Sequence, residues 1–205
     1  MTTSLALALA IALAAPGAAL RNGRTRVRPP AADTAPASPA AAAPELSDAE
    51  VTARVEAYLD AIDTPVSAEA WGALGSRAVA PLQAVATSGT FPSRRAKAVA
   101  ALSIIGGERA RDTVLSLAKS DAEPFAVRAS ALRSAARVLT SRELSSALTP
   151  VLEGAPQRPV RAVAAQVLAR HAPQAACTAI RSQAAREGDR RAAFAGALER
   201  CAGAP

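Results

Sequence analysis

The sequence predicts an all-α fold: a short array of helical hairpins, about four full repeats behind a smaller amino-terminal capping repeat. Three observations predict it. Alanine supplies 57 of the 205 residues while Phe, Trp and Tyr together supply five; such small side chains let helices approach closely but fill a β-sandwich poorly. An arginine followed by small and apolar residues recurs at Arg95, Arg128, Arg161 and Arg191, with spacings of 33, 33 and 30. A leucine stands 13 residues before each of the first three arginines, at Leu82, Leu115 and Leu148, and Ile180 stands 11 before the fourth. Two rows that keep one period describe a helix-turn-helix unit copied in tandem.

Three segments follow from the composition along the chain. Leu5 to Leu20 is an uncharged apolar run of 16 residues, about 24 Å as a helix and so short of a hydrocarbon core of about 30 Å. Residues 1–19 therefore read as a secretory signal peptide, with Gly17 and Ala19 small at the positions a cleavage after Ala19 requires. The mature form has no transmembrane anchor on this reading, and the compartment is periplasmic or secreted. The absence of Lys or Arg from Met1 to Ser4, with Arg21, Arg24, Arg26 and Arg28 following the run, argues the other way and supports a cytoplasmic alternative. Residues 20–46, with Pro29, Pro30, Pro36, Pro39, Pro44 and the four alanines 40–43, form a disordered linker that cannot bury enough apolar surface to order itself. Its four arginines read either as a contact to an anionic surface or polymer or as part of a solvated tether. The helical domain occupies 47–205.

Within that domain, Ser47-x-x-Glu50 and Thr140-x-x-Glu143 are capping boxes that start helices. Ser93 and Asp189 suit N-caps, and Pro92, Pro124 and Pro159 sit near the starts of second helices. Gly75, Gly106-Gly107, Gly154 and Gly188 mark helix ends or bends. The capping repeat is a helix over 48–62, a bend at Thr64-Pro65 and a stub over 67–74. The full units are 75–105, 107–139, 140–171 and 172–201.

The pattern Gly75-Ser-Arg-Ala-Val-Ala-Pro81-Leu82, with the second-helix openings Val127-Arg128-Ala129 and Val160-Arg161-Ala162, resembles short HEAT repeats of the bilin-lyase-like kind over about residues 65–201. The resemblance implies a right-handed α-solenoid whose second helices line the concave face. Fold alone does not carry a lyase activity over.

Two arginine rows follow from helical geometry. At about 100° per residue, Ala131, Leu132, Ala135 and Leu139 share one direction and form a buried stripe. Val99 with Leu102, and Ala165 with Leu168, are its equivalents. Arg95, Arg128, Arg161 and Arg191 lie on that side in the first turn and read as a structural ladder, each head given to a carboxylate or carbonyl of a neighbouring unit. Arg137, Arg170 and Arg200 lie nine residues further on, opposite the stripe, with Arg133 and Gln166 beside them and Lys97 nearby in the first full repeat. These six residues are candidates for a binding face; a merely solvated helix face is the competing reading. Residues 47–70 hold six acids and one arginine, whereas 71–205 hold 19 cations and nine acids, so the cap is acidic and the array basic.

Chemistry-bearing residues are few. Cys177 and Cys201 lie symmetrically about the Gly188-Asp189 bend, so they read as a disulfide in an oxidising compartment or as small buried hydrophobes. His171, the single histidine, aligns with repeat-edge packing positions. Ser116-Leu-Ala-Lys119 matches the Ser-x-x-Lys pattern of acyl enzymes, but neither companion motif follows. No Gly-x-Ser-x-Gly, phosphate loop, Cys-x-x-Cys or metal-spaced histidine pair is present. The expectation is a non-enzymatic scaffold that needs no cofactor or metal and binds a protein partner. Nucleic acid is the partner only if the protein is cytosolic, and a Ser-x-x-Lys acyl enzyme is the remote alternative.

Overall fold

A computed structural model describes residues 46–62 and 64–203. The expected signal peptide and linker, with Arg21, Arg24, Arg26 and Arg28, lie outside the described residues. Those described form helices and no strand. None of their helices is long and apolar enough to cross a membrane.

Two helices come first, α1 (Asp48–Asp60) and α2 (Ala68–Ala73). Ser47 caps α1 through a reciprocal pair of bonds with Glu50, which satisfies two otherwise orphaned donors at the helix start. A 3-10 turn, Gly75–Ala78, leads into α3 (Val79–Ala86) and α4 (Pro92–Ile105). Then come α5 (Glu108–Lys119) with α6 (Phe125–Val138), α7 (Ser141–Gly154) with α8 (Arg158–His171), and α9 (Pro173–Arg186) with a 3-10 segment, Gly188–Phe194, and α10 (Ala195–Ala202). Gly106 and Gly107 both have positive φ, 75° and 86°, and make the bend between α4 and α5 that a side chain would strain. Thr140 and Glu143 form the second reciprocal cap, at the start of α7.

Helices pack in neighbouring pairs, α3 on α4, α5 on α6, α7 on α8 and α9 on α10. The first two junctions between pairs are made mainly through second members, α4 on α6 and α6 on α8, whereas the last is shared between α8 on α10 and α7 on α9. The alanine content explains this row. Ala98, Ala101, Ala131, Ala135, Ala164 and Ala165 are all buried, and residues this small bring helix axes to the near end of the usual spacing of about 8–10 Å. The larger aliphatics Leu82, Leu102, Leu132, Leu148, Leu168 and Ile180 complete the core without measurable exposure.

Several details differ from the sequence reading. Leu115 is only half-buried, and Val114 is fully buried instead. Ten positions separate Ala118 from Arg128 against nine between Ala86 and Arg95, so the buried stripe of α5 is displaced by one residue from the leucine row. Leu139 is likewise half-buried, because it lies past the end of α6 as its C-cap. Phe91, not Ser93, is the N-cap of α4, since Pro92 already has the backbone of a first helical residue. The last unit departs most: Asp189 and Arg191 lie in the 3-10 segment rather than at the head of a helix.

Candidate binding groove

The ladder arginines show what a structural arginine does in this fold. Arg95 Nε donates to Ala86 O at 2.8 Å, and its Nη2 meets Glu123 at 2.6 Å. Arg128, 1% exposed, donates from Nε to Ala118 O at 3.1 Å and faces Asp121. Arg161 Nη1 donates to Ala155 O at 2.6 Å, and its Nε meets Glu187 at 2.7 Å. Each head therefore caps the carboxyl end of the first helix of its own pair, where unsatisfied carbonyls and the helix dipole favour a cation. Each also takes one carboxylate. For Arg95 and Arg161 that acid comes from the loop or helix end of the following pair; Arg128 has Gly154-Ala155-Pro156 at the equivalent place and takes Asp121 from its own loop. Arg191 is exposed and forms no fourth rung. Its unit is three residues shorter, and the end of α9 gives its acid, Glu187, to Arg161.

Glu187 is itself buried. Burial pushes its carboxyl up, but donation from Arg161 and Gln183 outweighs that and holds it below the ordinary carboxylate value.

Other cations of the array are consumed by the acidic cap. Arg77 meets Asp48 at 2.6 Å, and Arg94 pairs with both Glu56 and Asp60. Lys97, expected with the binding-face residues, instead donates to Ala61 O at 2.9 Å and Leu59 O at 3.2 Å. It caps the carboxyl end of α1 and takes no part in the groove described next, because the carbonyls at the end of the capping helix hold its ammonium group.

Arg133, Arg137, Gln166, Arg170 and Arg200 do come together, on α6, α8 and α10. With His171 they line a groove of about 510 Å³. All six are exposed. Its floor is Ala136, Val163 and Val167, and Gly196 leaves room on the α10 side. No carboxylate lines it. Among the described residues, none of these four arginines makes an ion pair, in contrast to Arg77, Arg94, Arg95, Arg111, Arg128, Arg161 and Arg186. Arg200 donates only to Gly196 O, one turn back on its own helix. His171 is thus an exposed groove residue rather than a packing position; the buried place at this repeat edge belongs to Ala172, 2% exposed.

The α10 wall is tied down. Cys177 of α9 and Cys201 of α10 are joined by a disulfide with Cα atoms 5.5 Å apart, and Arg181 donates to Cys201 O at 2.7 Å. Arg200 is the residue next to that staple. Periodicity alone does not reveal this link between the cysteines and the groove.

Ser116 and Lys119 are both exposed on α5. Ser116 lines a shallow cleft with Gln83, Thr87 and Asp112, to which Lys119 does not contribute. Among the described residues no group of three or more His, Cys, Asp or Glu side chains is placed to hold a metal ion.

No protein-family model matches this chain, and no curated protein and no solved structure matches it.

Proposed function

We propose that the protein is a non-enzymatic interaction scaffold, a HEAT-like α-solenoid whose second helices present a concave face to a protein partner. One observation carries the reading. The fold pairs its structural arginines with carboxylates, yet leaves Arg133, Arg137, Arg170 and Arg200 unpaired in a single groove. A solvated face meant only for solubility has no need to converge four guanidinium groups on one apolar floor, since mixed charge serves solubility with less mutual repulsion. The order of packing, second helix on second helix, supports the solenoid part of the proposal. Export is part of it as well: the apolar run Leu5–Leu20 favours it, and a persistent disulfide suits an oxidising compartment.

The test places a photo-reactive residue at Gln166 in the full chain and irradiates living cells. A discrete covalent adduct to a protein is expected, lost in the R137A/R170A/R200A variant while its helical circular dichroism is unchanged. Adduct formation that survives the triple variant defeats the assignment of the surface. Sequencing the amino terminus of the native protein tests export; residues 5–19 still attached in a cytosolic fraction would remove it.

The same uncompensated charge favours a second reading, duplex nucleic acid gripped through its phosphates. That reading requires a cytosolic protein and an affinity that falls steeply with salt. The groove lining contains no Phe, Tyr or Trp, which disfavours single strands held by stacking.

A further inference from the structure

We infer that the groove between α6, α8 and α10 selects an extended peptide segment bearing Asp or Glu at intervals of about three residues. This rests on the scaffold reading and adds the chemistry of the partner. Charge is the first argument. Four guanidinium groups face a cleft with no carboxylate in its lining, so an occupant must bring the negative charge, and guanidinium is the cation whose fork matches a carboxylate best.

Spacing is the second argument. Arg137, Arg170 and Arg200 each stand in the last turn of their helix, α6, α8 and α10, and these helices pack in succession. Neighbouring helix axes lie about 8–10 Å apart, and an extended chain advances about 3.3 Å per residue. A carboxylate every third residue therefore keeps step with one arginine per helix. A single small anion reaches one or two of them and leaves the rest unpaired.

The floor is the third argument. Val163 and Val167 are each 7% exposed and Ala136 is half-buried, so small or apolar side chains between the acids meet carbon atoms rather than unsatisfied polar groups. The groove volume of about 510 Å³ is that of a cleft for a chain segment, within the ligand-site range of about 300–1,000 Å³. Gln166, exposed among the arginines, can donate and accept at once, which suits the backbone amides of such a segment.

The experiment titrates the full-length protein into a fluorescein-labelled peptide of four Glu-Gly-Ser triplets and follows anisotropy, with the Gln-Gly-Ser counterpart, a labelled DNA duplex and inorganic phosphate as the other arms. The Glu peptide is expected to bind and the Gln peptide to bind at least about tenfold more weakly. R137A and R170A should each weaken the Glu peptide by about fivefold and R137A/R170A/R200A by about hundredfold, the product expected of separate exposed contacts. Equal binding of the Gln peptide overturns the selectivity. Competition by phosphate at the potency of the peptide overturns the extended ligand. Tighter binding of the duplex, lost in the same triple variant, overturns both this inference and the protein-partner reading. If neither peptide binds while the Gln166 cross-link persists in cells, this inference falls and the scaffold reading stands; if the cross-link is absent too, both fall.

Discussion

Arg161 and Glu187, 26 positions apart in the chain, meet at 2.5 Å with their side chains 16% and 3% exposed. This ion pair joins the second helix of one unit to the end of α9 in the next. Gln183 donates to the same carboxylate oxygen at 2.9 Å, so the acid sits at the centre of a small buried network whose members depend on one another.

Removing that carboxylate is expected to destabilise the fold. Glu187→Ala leaves Arg161 and Gln183 without their shared acceptor, at a cost of about 2–4 kcal/mol. Chemical denaturation with a full baseline measures it, and a loss below about 0.5 kcal/mol would show that water replaces the acid without penalty.

Acid should weaken the protein for the same reason. Glu187 is held below its ordinary value, as are Glu50, through the Ser47 hydroxyl and backbone N–H, and Glu143, through the Thr140 backbone N–H and hydroxyl. A lowered folded pKa means that the unfolded chain binds protons first. The stabilisation is therefore complete above the ordinary carboxylate value of 4.5 and is lost as pH falls through the folded values. Unfolding free energy measured from pH 7 downward should be flat at first and then decline below about 4.5, with a shallower decline in Glu187→Gln. Identical acid limbs for the two proteins would remove Glu187 from the account.

A built rung of the arginine ladder and its expected fourth member should respond differently. Arg128→Ala removes a buried stem, a cap on Ala118 O and the partner of Asp121, with an expected cost of about 2–4 kcal/mol. Arg128→Met restores the packing and part of that stability. Arg191→Ala, at an exposed position of the 3-10 segment, is expected to change stability by less than about 0.5 kcal/mol. Thermal unfolding of the three variants decides it; equal losses at Arg128 and Arg191 would mean that the ladder is not built as described.

Cys177→Ser/Cys201→Ser should lower stability by about 3–4 kcal/mol, the chain-entropy estimate for a loop of this length. It should also weaken groove binding, since Arg200 is carried on the helix that the disulfide holds. A double-serine variant that unfolds at the wild-type denaturant midpoint would show that packing alone positions α10.

Much of the architecture was legible in residue types. The 33-residue arginine period, the reciprocal caps at Ser47–Glu50 and Thr140–Glu143, and the glycines at 106 and 107 are local signals, because caps and positive-φ turns are made by residues adjacent in the chain. Lys97, His171 and Arg191 depart from the periodic expectation for one common reason: each has the helical angle of its row, but each lies where the repeat ends or meets a different neighbour. Periodicity assumes an unbroken array. It cannot see that α1 supplies carbonyls to Lys97, or that a unit three residues shorter turns its arginine outward.

By itself, then, the sequence determined that the described residues are helical, about where most of their helices begin and end, and which faces are apolar, since these depend on spacing along one helix. Tertiary structure alone decided which arginines find an acid. Ion pairing depends on distance between helices, so Arg161 and Arg170, the same residue type two and a half turns apart on α8, end as a half-buried strut and an unpaired groove residue.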